Sequence, residues 1–559
     1  MRSKPLENRS PAKSAVARRA VLIPVVMAAV RLSGVAADAP LQAEKTEPLR
    51  LGVLRSLVRQ NSETVQMAML QAEVDRRLAA AEAGLYEPQV VGSVERVDNQ
   101  RPNNAQQQAN LGFYATPVFT ERNTLYSGGL EFLSPIGTKL QTGLTFRELI
   151  NSVQQGKGPE YETFLGASLV QPLLRNFGTG PTLARLRLAA MASEIAFQQY
   201  RRQLMLTVAE AEAAYWDLYL AQERDRIARE SLGLGEKLRQ DNQARFEVGN
   251  SSQLEVLQAD AGVALRKARF NDARQRVSET AVRLRSALGG VWGNQAALPE
   301  AADAPELIED NRTPLDNYTA ARTLNPDYRA RELELAREGI RVNYARNQRL
   351  PELNLRTGYG LNGLGQTPGD SFADIDDASY AAWSVGVELR IPIAGGVRQR
   401  HEYYAAKAAE EKALMGVREA LTQLFNGVDS ARRRLRLHRD NVGNYGSVAT
   451  FHESLLQSQL DRLAEGVVDS RTVLETEEKL SDARVAVVES LVLYRRAYLE
   501  LELVRGSFLQ DRGMDLTRDD LRRETQDLLD SARLSPQAVD LLQRRALQEL
   551  ESTAPAAGP

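Results

Sequence analysis

Arg245-Phe-Glu-Val-Gly249-Asn-Ser-Ser-Gln-Leu-Glu-Val256-Leu257 and Arg462-Leu-Ala-Glu-Gly466-Val-Val-Asp-Ser-Arg-Thr-Val473-Leu474 match in register at their Arg, Gly, Val and Leu positions. Each segment lies between two long stretches that read as helix. Residues 183–247 run into the first glycine without a proline. They carry Leu204, Val208, Ala211, Tyr215 and Leu218 at spacings of three and four, which keeps one helical face apolar. At 1.5 Å per residue such a helix reaches roughly 95–100 Å. Residues 398–464 are its counterpart before the second glycine. Return helices are expected at about 251–288 and 469–508, the latter striped by Leu480, Ala483, Val487, Leu491, Tyr494, Tyr498 and Leu501. Many stripe positions are alanine. Narrow seams of this kind suit a wall one helix thick closed into a cylinder, whereas a lone bundle needs bulkier core residues.

Further outward the two halves keep matching. Gln60-Asn61 answers Leu324-Asn325, Tyr86-Glu87-Pro88 answers Arg349-Leu350-Pro351, and Gln171-Pro172 answers Ile391-Pro392. The fold class expected is mainly α with a β-barrel part, built from a duplicated helix–strands–long helix–turn–helix unit. The units span 40–300 and 301–509, and a polar C-terminal tail follows over 510–559, with a short helical stretch near 536–550.

Residues 88–97, 125–134, 138–147, 162–172, 353–360 and 383–392 are β-rich or alternate in polarity. In Thr138-Lys-Leu140-Gln-Thr142-Gly-Leu144-Thr-Phe146 the even positions are mostly apolar, as in a wall with lipid on one side and water on the other. Pro135-Ile136-Gly137 is an expected turn. Tyr86, Tyr126, Tyr161, Tyr359 and Trp383 are expected near strand ends, where aromatic girdles sit. A soluble sheet docked on the helices is the plainer reading of the same pattern. Four to six strands cannot close a membrane barrel, because known ones begin at about eight. Several chains would have to share it.

The chain has 559 residues, 26% of them charged, and a net charge of −2. No basic excess points to nucleic acid. Cysteine is absent, which excludes disulfides, thiolate metal sites and cysteine nucleophiles. Arg2, Lys4, Arg9, Lys13, Arg18 and Arg19, then the apolar run 21–30 and Ala37-Asp38-Ala39, read as an export signal over 1–39. His401, His438 and His452 show no metal-ligand spacing and read as surface residues of long helices. Tyr359-Gly360-Leu361-Asn362-Gly363-Leu364-Gly365 reads as an exposed loop between strands with no helix after it, not as a phosphate cradle. Arg432-Arg433-Arg434 and Arg436 read as a solvated or inter-subunit helix face. No enzyme, cofactor or metal is expected. A coiled-coil envelope scaffold and an envelope hydrolase are the alternatives, and the second lacks a catalytic constellation.

Gln171-Pro172-Leu173-Leu174, Ala214-Tyr215-Trp216-Asp217-Leu218, Arg245-Phe246-Glu247-Val248-Gly249, Leu254-Glu255-Val256-Leu257-Gln258-Ala259 and Trp383-Ser384-Val385-Gly386-Val387 before Ile391-Pro392 form an ordered set. In order, spacing and duplication it resembles the TolC-like outer-membrane efflux family, the outer membrane factors, over about residues 48–508. The resemblance implies a homotrimer with an outer-membrane barrel continuous with a periplasmic helical barrel. That would be the passive exit duct of a tripartite efflux or type I secretion system. Outer-membrane lipid, a periplasmic adaptor (membrane fusion protein) and an inner-membrane transporter are the implied partners, and nucleic acid is not. It places the tips, with Arg245, Val248, Gly249, Arg462 and Gly466, where the adaptor docks. The family's acidic aperture residue is kept as Glu255. Thr472 stands in its place in the second half, with Glu475 one turn further on. The family usually has two strands per half, so residues 125–147 look like an added hairpin. It would either enlarge the barrel or project outside the cell, and projection is the expectation.

Overall fold

The structure is a computed structural model, and it describes residues 46–111, 117–154, 158–249, 252–288, 298–393, 395–531 and 544. The export signal expected over 1–39 lies outside these residues, as does the helical stretch near 536–550 apart from Arg544.

β1 (Thr46–Leu49) leads into α1 (Leu51–Asn61) and α2 (Glu63–Ala81), and a 3-10 turn over Glu82–Tyr86 precedes β2 (Gln89–Pro102). After α3 (Ala105–Leu111) come β3 (Val118–Leu133), β4 (Lys139–Asn151) and β5 (Glu160–Pro172). The short α4 (Thr179–Thr182) introduces α5 (Ala184–Glu247), which returns as α6 (Gln253–Ala287). β6 (Leu298–Ala301) pairs parallel with β1. Then α7 (Pro314–Leu324), α8 (Pro326–Gln348), β7 (Glu352–Gly365), α9 (Pro368–Asp376) and β8 (Tyr380–Arg390) lead to α10 (Val397–Ala464) and its return α11 (Ser470–Arg505). α12 (Phe508–Asp511) and α13 (Arg518–Asp530) follow. The order helix, strands, very long helix, return helix occurs twice.

α5 has 64 residues and α10 has 68, which is roughly 95–100 Å each. α5 packs along α6 and α10 along α11, and α5 also touches α2, α8 and α11. The stripe Leu204, Val208, Ala211, Tyr215 and Leu218 is buried throughout. It joins Leu54 and Val58 of α1, Val65 of α2, Leu284 of α6 and Phe508 of α12 in the largest core cluster. The stretch after residue 510, expected as a polar tail, also reaches this core among the described residues. Phe508, Leu509, Met514 and Leu521 are buried in that core, where the apolar area they remove from water outweighs the polar composition around them.

The six strands β2-β3-β4-β5-β7-β8 form one sheet in that order, every pair antiparallel. The expected hairpin 125–147 does not project. β3 and β4 pair along their lengths with β2 and β5, because extended backbone left outside the sheet would forfeit those bonds. The turn between them closes with Ser134 N–H donating to Thr138 O at 2.8 Å, and Gly137 sits at φ +96°.

The glycine-rich 359–365 is also strand, not loop, and a helix does follow it. A Cβ on Gly363 would lie 1.9 Å from Ser371 O, so glycine is what lets α9 lie against β7. Of the aromatics expected at strand ends, Tyr126 and Tyr359 lie mid-strand. Tyr86 precedes the sheet and donates to Thr182 O at 2.6 Å.

Candidate functional site

The sheet separates polarity by face. Residues paired across strands share a face. One row runs Val90, Leu130, Thr142, Ala167, Tyr359, Trp383. The next runs Gly92, Gly128, Leu144, Leu165, Leu361, Ala381. Val94, Tyr126 and Phe146 share a third, and Leu140, Leu169, Thr357 and Val385 a fourth. From Leu355 to Gly363 this apolar band covers about 26 Å along the strand, close to the roughly 25 Å apolar belt of outer-membrane barrels, and α9 covers its last row at Thr163 and Gly363. Beyond it come Arg96 and Glu148, and an ion pair of Arg122 with Asp98 at 3.2 Å.

The opposite face carries Gln89, Ser93, Glu131, Gln141, Ser168 and Ser384, with ion pairs Arg147–Glu162 at 3.3 Å and Arg390–Glu352 at 3.6 Å. Gly129, Gly143, Gly166 and Gly360 line up across four strands on this face. They floor a groove of about 640 Å³, and the Phe164 ring lies over Gly166 and Gly360.

The helix tips are the second candidate region. Gly249 has φ +80° and Gly466 φ +77°, a conformation glycine adopts without Cβ strain. Gly249 N–H donates to Phe246 O at 2.9 Å. At the other tip Val467 N–H donates to Arg462 O at 2.9 Å, satisfying a carbonyl the helix end leaves open. Arg245 does more than face solvent: its Nη2 donates to Leu463 O at 3.2 Å and ties the two tips together. Arg462 is exposed, and Val248 is 70% exposed. Phe246, Leu254, Leu257 and Val467 are exposed beside it, so each tip presents apolar side chains to solvent. Leu254 and Leu257 are one helical turn apart on α6, but Phe246 and Val467 come from other segments, so the patch as a whole has no single sequence spacing.

Glu255 and Thr472 occupy equivalent third positions of the return helices. Ser252 caps α6 by accepting from Glu255 N–H at 3.3 Å, and its hydroxyl donates to Glu255 Oε1 at 3.3 Å. Asp469 caps α11 by accepting from Thr472 N–H at 3.0 Å and from its hydroxyl at 2.6 Å. The Thr472 hydroxyl first, then its backbone N–H, hold the Asp469 carboxyl below the usual range. Glu475 pairs with Arg471 at 2.8 Å. Glu255 and Glu475 line one groove of about 280 Å³ with Asn242, Arg266, Asp469 and Ser470. Behind it Arg266 of α6 and Glu477 of α11 make a buried ion pair at 2.8 Å, and Arg266 also donates to Leu474 O. This bridge fixes the return helices against each other. Nothing in the sequence spacing pointed to it, since the partners are 211 residues apart.

Where the helices meet the C-terminal segment there is a buried charge network. Glu212, fully buried, accepts from Arg55 Nε at 2.6 Å and from Arg512 Nε at 2.8 Å, and Arg512 also reaches Glu502 at 2.8 Å. Burial raises the Glu502 carboxyl above its ordinary range, although Arg512 pulls the other way. Three arginines of the run make ion pairs: Arg433 to Asp429, Arg434 to Glu500 and, at 3.9 Å, Arg432 to Asp310. Among the described residues no acidic or histidine group could hold a metal ion, and no helix is long and apolar enough to cross a membrane.

The outer membrane efflux protein family matches residues 139–290 and 317–507, more than half of the chain. Outer membrane efflux protein BepC of Brucella suis is 23% identical over 302 residues, which is 52% of this chain and 63% of that protein. Pyoverdine export outer membrane protein OpmQ of Pseudomonas aeruginosa is 23% identical over 425 residues, 74% of this chain and 83% of that protein. Among solved structures, the CmeC outer membrane channel of Campylobacter jejuni has a TM-score of 0.59 at 14% identity, covering 85% of this chain and 89% of that one. The outer membrane protein VceC of Vibrio cholerae has a TM-score of 0.57 at 16% identity, covering 82% and 96%.

Proposed function

Since the chain belongs to the outer membrane efflux protein family, we propose that it is a passive exit channel of the outer membrane, through which an efflux or type I secretion system exports its cargo. The observation that carries this is the union, in one chain, of a sheet with an apolar belt of membrane height and helices long enough to reach far beyond it. Lipid would cover the apolar face and the polar face would line water. The helices then form the periplasmic part. The chain acts as a homotrimer built from a duplicated unit, as the outer membrane factors do. A scaffold reading leaves the apolar belt unexplained.

The partners proposed are a periplasmic adaptor and an inner-membrane transporter. The tips with Arg245, Val248, Gly249, Arg462 and Gly466 are the adaptor's docking surface, and the exposed apolar side chains around them favour this. Glu255 and Glu475 lie near the aperture, with Thr472 standing in the family's acidic position in the second half. Repeated around an axis, their carboxylates would draw cations to it. Their helix-capping and Arg471 contacts would be shared with that role. Single-channel recording on the purified oligomer tests both levels. Ion conduction is expected from the wild type, and a weaker cation preference from Glu255→Gln with Glu475→Gln. No conduction would end the channel reading. Unchanged selectivity would remove these residues from the aperture.

A further inference from the structure

β2 and β8 each have a single neighbour in the sheet, so each presents one edge of unpaired N–H and C=O groups. In lipid such an edge must find a partner. Resting on the channel reading above, we infer that β2 of one copy pairs with β8 of the next at a stagger of six or eight residues, so that three copies close an eighteen-stranded barrel.

Direction permits the joint. Six antiparallel strands leave β2 and β8 pointing opposite ways, so copies joined edge to edge keep the alternation unbroken. Both edges are also dressed alike. Val90 and Val94 on β2, and Trp383, Val385, Val387 and Leu389 on β8, are exposed on the same apolar face.

The register follows from two independent constraints. Across the sheet, Trp383 sits on the same row as Val90. If the next copy continued that row without stagger, only residues 380–384 of β8 would face β2. A stagger of six sets Tyr380 opposite Asn99 and Arg390 opposite Gln89. A stagger of eight sets them opposite Arg101 and Val91. Both put every residue of β8 against β2, which is the longer strand.

The second constraint is geometric. The stagger must be even, because an odd one turns apolar residues to the polar face. With strands about 4.8 Å apart and about 3.3 Å per residue, staggers of six and eight over six strands tilt the strands about 35° and 42°. Staggers of four and ten give about 25° and 49°, outside the roughly 35–45° range of membrane barrels. Strand length and tilt thus select the same two registers. The resulting barrel is roughly 35 Å across between backbones, in the class that leaves an open aqueous lumen. The hairpin β3–β4 is what widens it, and the narrow point of the duct then lies in the helical part.

The chain has no cysteine, so introduced pairs report without background. Val94→Cys with Val385→Cys tests the stagger of six, and Val94→Cys with Val387→Cys the stagger of eight. Ser93→Cys with Gly386→Cys repeats the six-residue register from the polar face, should the first pair disturb folding. Val94→Cys with Tyr126→Cys, paired within one chain, is the control. Full-length protein in outer membranes is oxidised and run without reductant. A ladder ending at the covalent trimer is expected from one register, with most of the chain converted, while the control stays at monomer size. Intact oligomers with an oxidised control and no ladder in any pair would overturn the pairing. A ladder ending at another copy number would overturn the count of eighteen. Conductance is read separately. Conduction without a ladder defeats only the pairing, and a ladder without conduction defeats only the channel reading.

Discussion

Replacing Glu212 by Gln keeps the shape of a fully buried side chain and removes its charge. The carboxylate answers two guanidinium groups, Arg55 at 2.6 Å and Arg512 at 2.8 Å. Removing one member of a buried ion pair costs about 3–5 kcal/mol, because the partner stays buried without its counter-charge. Two features push this case to the lower end. Arg512 keeps Glu502 at 2.8 Å, and the Arg55 side chain is 23% exposed and can turn to water. About 3 kcal/mol, roughly a hundredfold in the folded ratio, is the expected loss. Guanidinium unfolding of the purified protein, followed by tryptophan fluorescence, reads it. Trp216 is buried four positions along the same helix, edge-on to Tyr215 and Tyr219. Glu500→Gln is the comparison. Its partner Arg434 is more than half exposed and Glu500 is 41% exposed, so that pair is worth about 0–1 kcal/mol. The variant should also expose 512–517 to protease, since Arg512 anchors the segment joining α12 and α13. Equal unfolding midpoints for the two variants would refute the account of the network.

Gly249→Val meets no atom within 4 Å, so its cost is backbone strain at φ +80°, about 1–2 kcal/mol. Adaptor cross-linking and export should fall while membrane insertion persists; normal cross-linking would count against docking at this tip. Asp469→Ala removes the N-cap of α11, a loss of about 1 kcal/mol, seen as faster hydrogen exchange in its first turn. Because the folded Asp469 pKa is depressed, the cap's contribution is full above the unfolded pKa of about 3.9. It fades as pH falls through the lower folded value, so wild type and variant should converge in acid.

The helices were legible because α5 and α10 contain no proline and end at glycines. An apolar stripe of period 3.6 over so many residues has few other solutions. The strands were legible only inside the apolar belt. β3 begins at Val118, but Thr120-Glu121-Arg122-Asn123-Thr124 lies above the belt on both faces and alternates nothing. β7 continues to Gly365 through its pairing with β5, and its Gly363 is bare because α9 lies against it, whereas glycines in a sequence otherwise signal a loop. The charge network of Glu212 was invisible for a different reason. Its partners lie 157 and 300 residues away, and only the fold brings them together. Glu255 was legible as a position and not as a role, since an acidic residue three after Ser252 serves a helix cap as readily as an aperture.

The two halves are unequal in a way that bears on assembly. α5 buries residues along most of its length, from Ala184 to Asn242. α10, four residues longer, buries only Val417, Leu424, Val428, Ala431, Leu435 and Leu463. It leaves Met415, Phe425, Leu437, Val448 and Phe451 exposed. Spacings near eleven residues bring such positions round to a similar face, and an apolar face this long is rarely left to water. The sheet is unfinished in the same sense, at the edges of β2 and β8. In the proposed assembly a second copy of the chain would meet both needs at once: strand against strand in the belt, and helix against α10. Truncating Phe451 should then weaken the oligomer more than it weakens the fold of one chain, because that ring is exposed and its ring contact is with the adjacent His452, whereas Phe425 also packs edge-on against Tyr318 of α7.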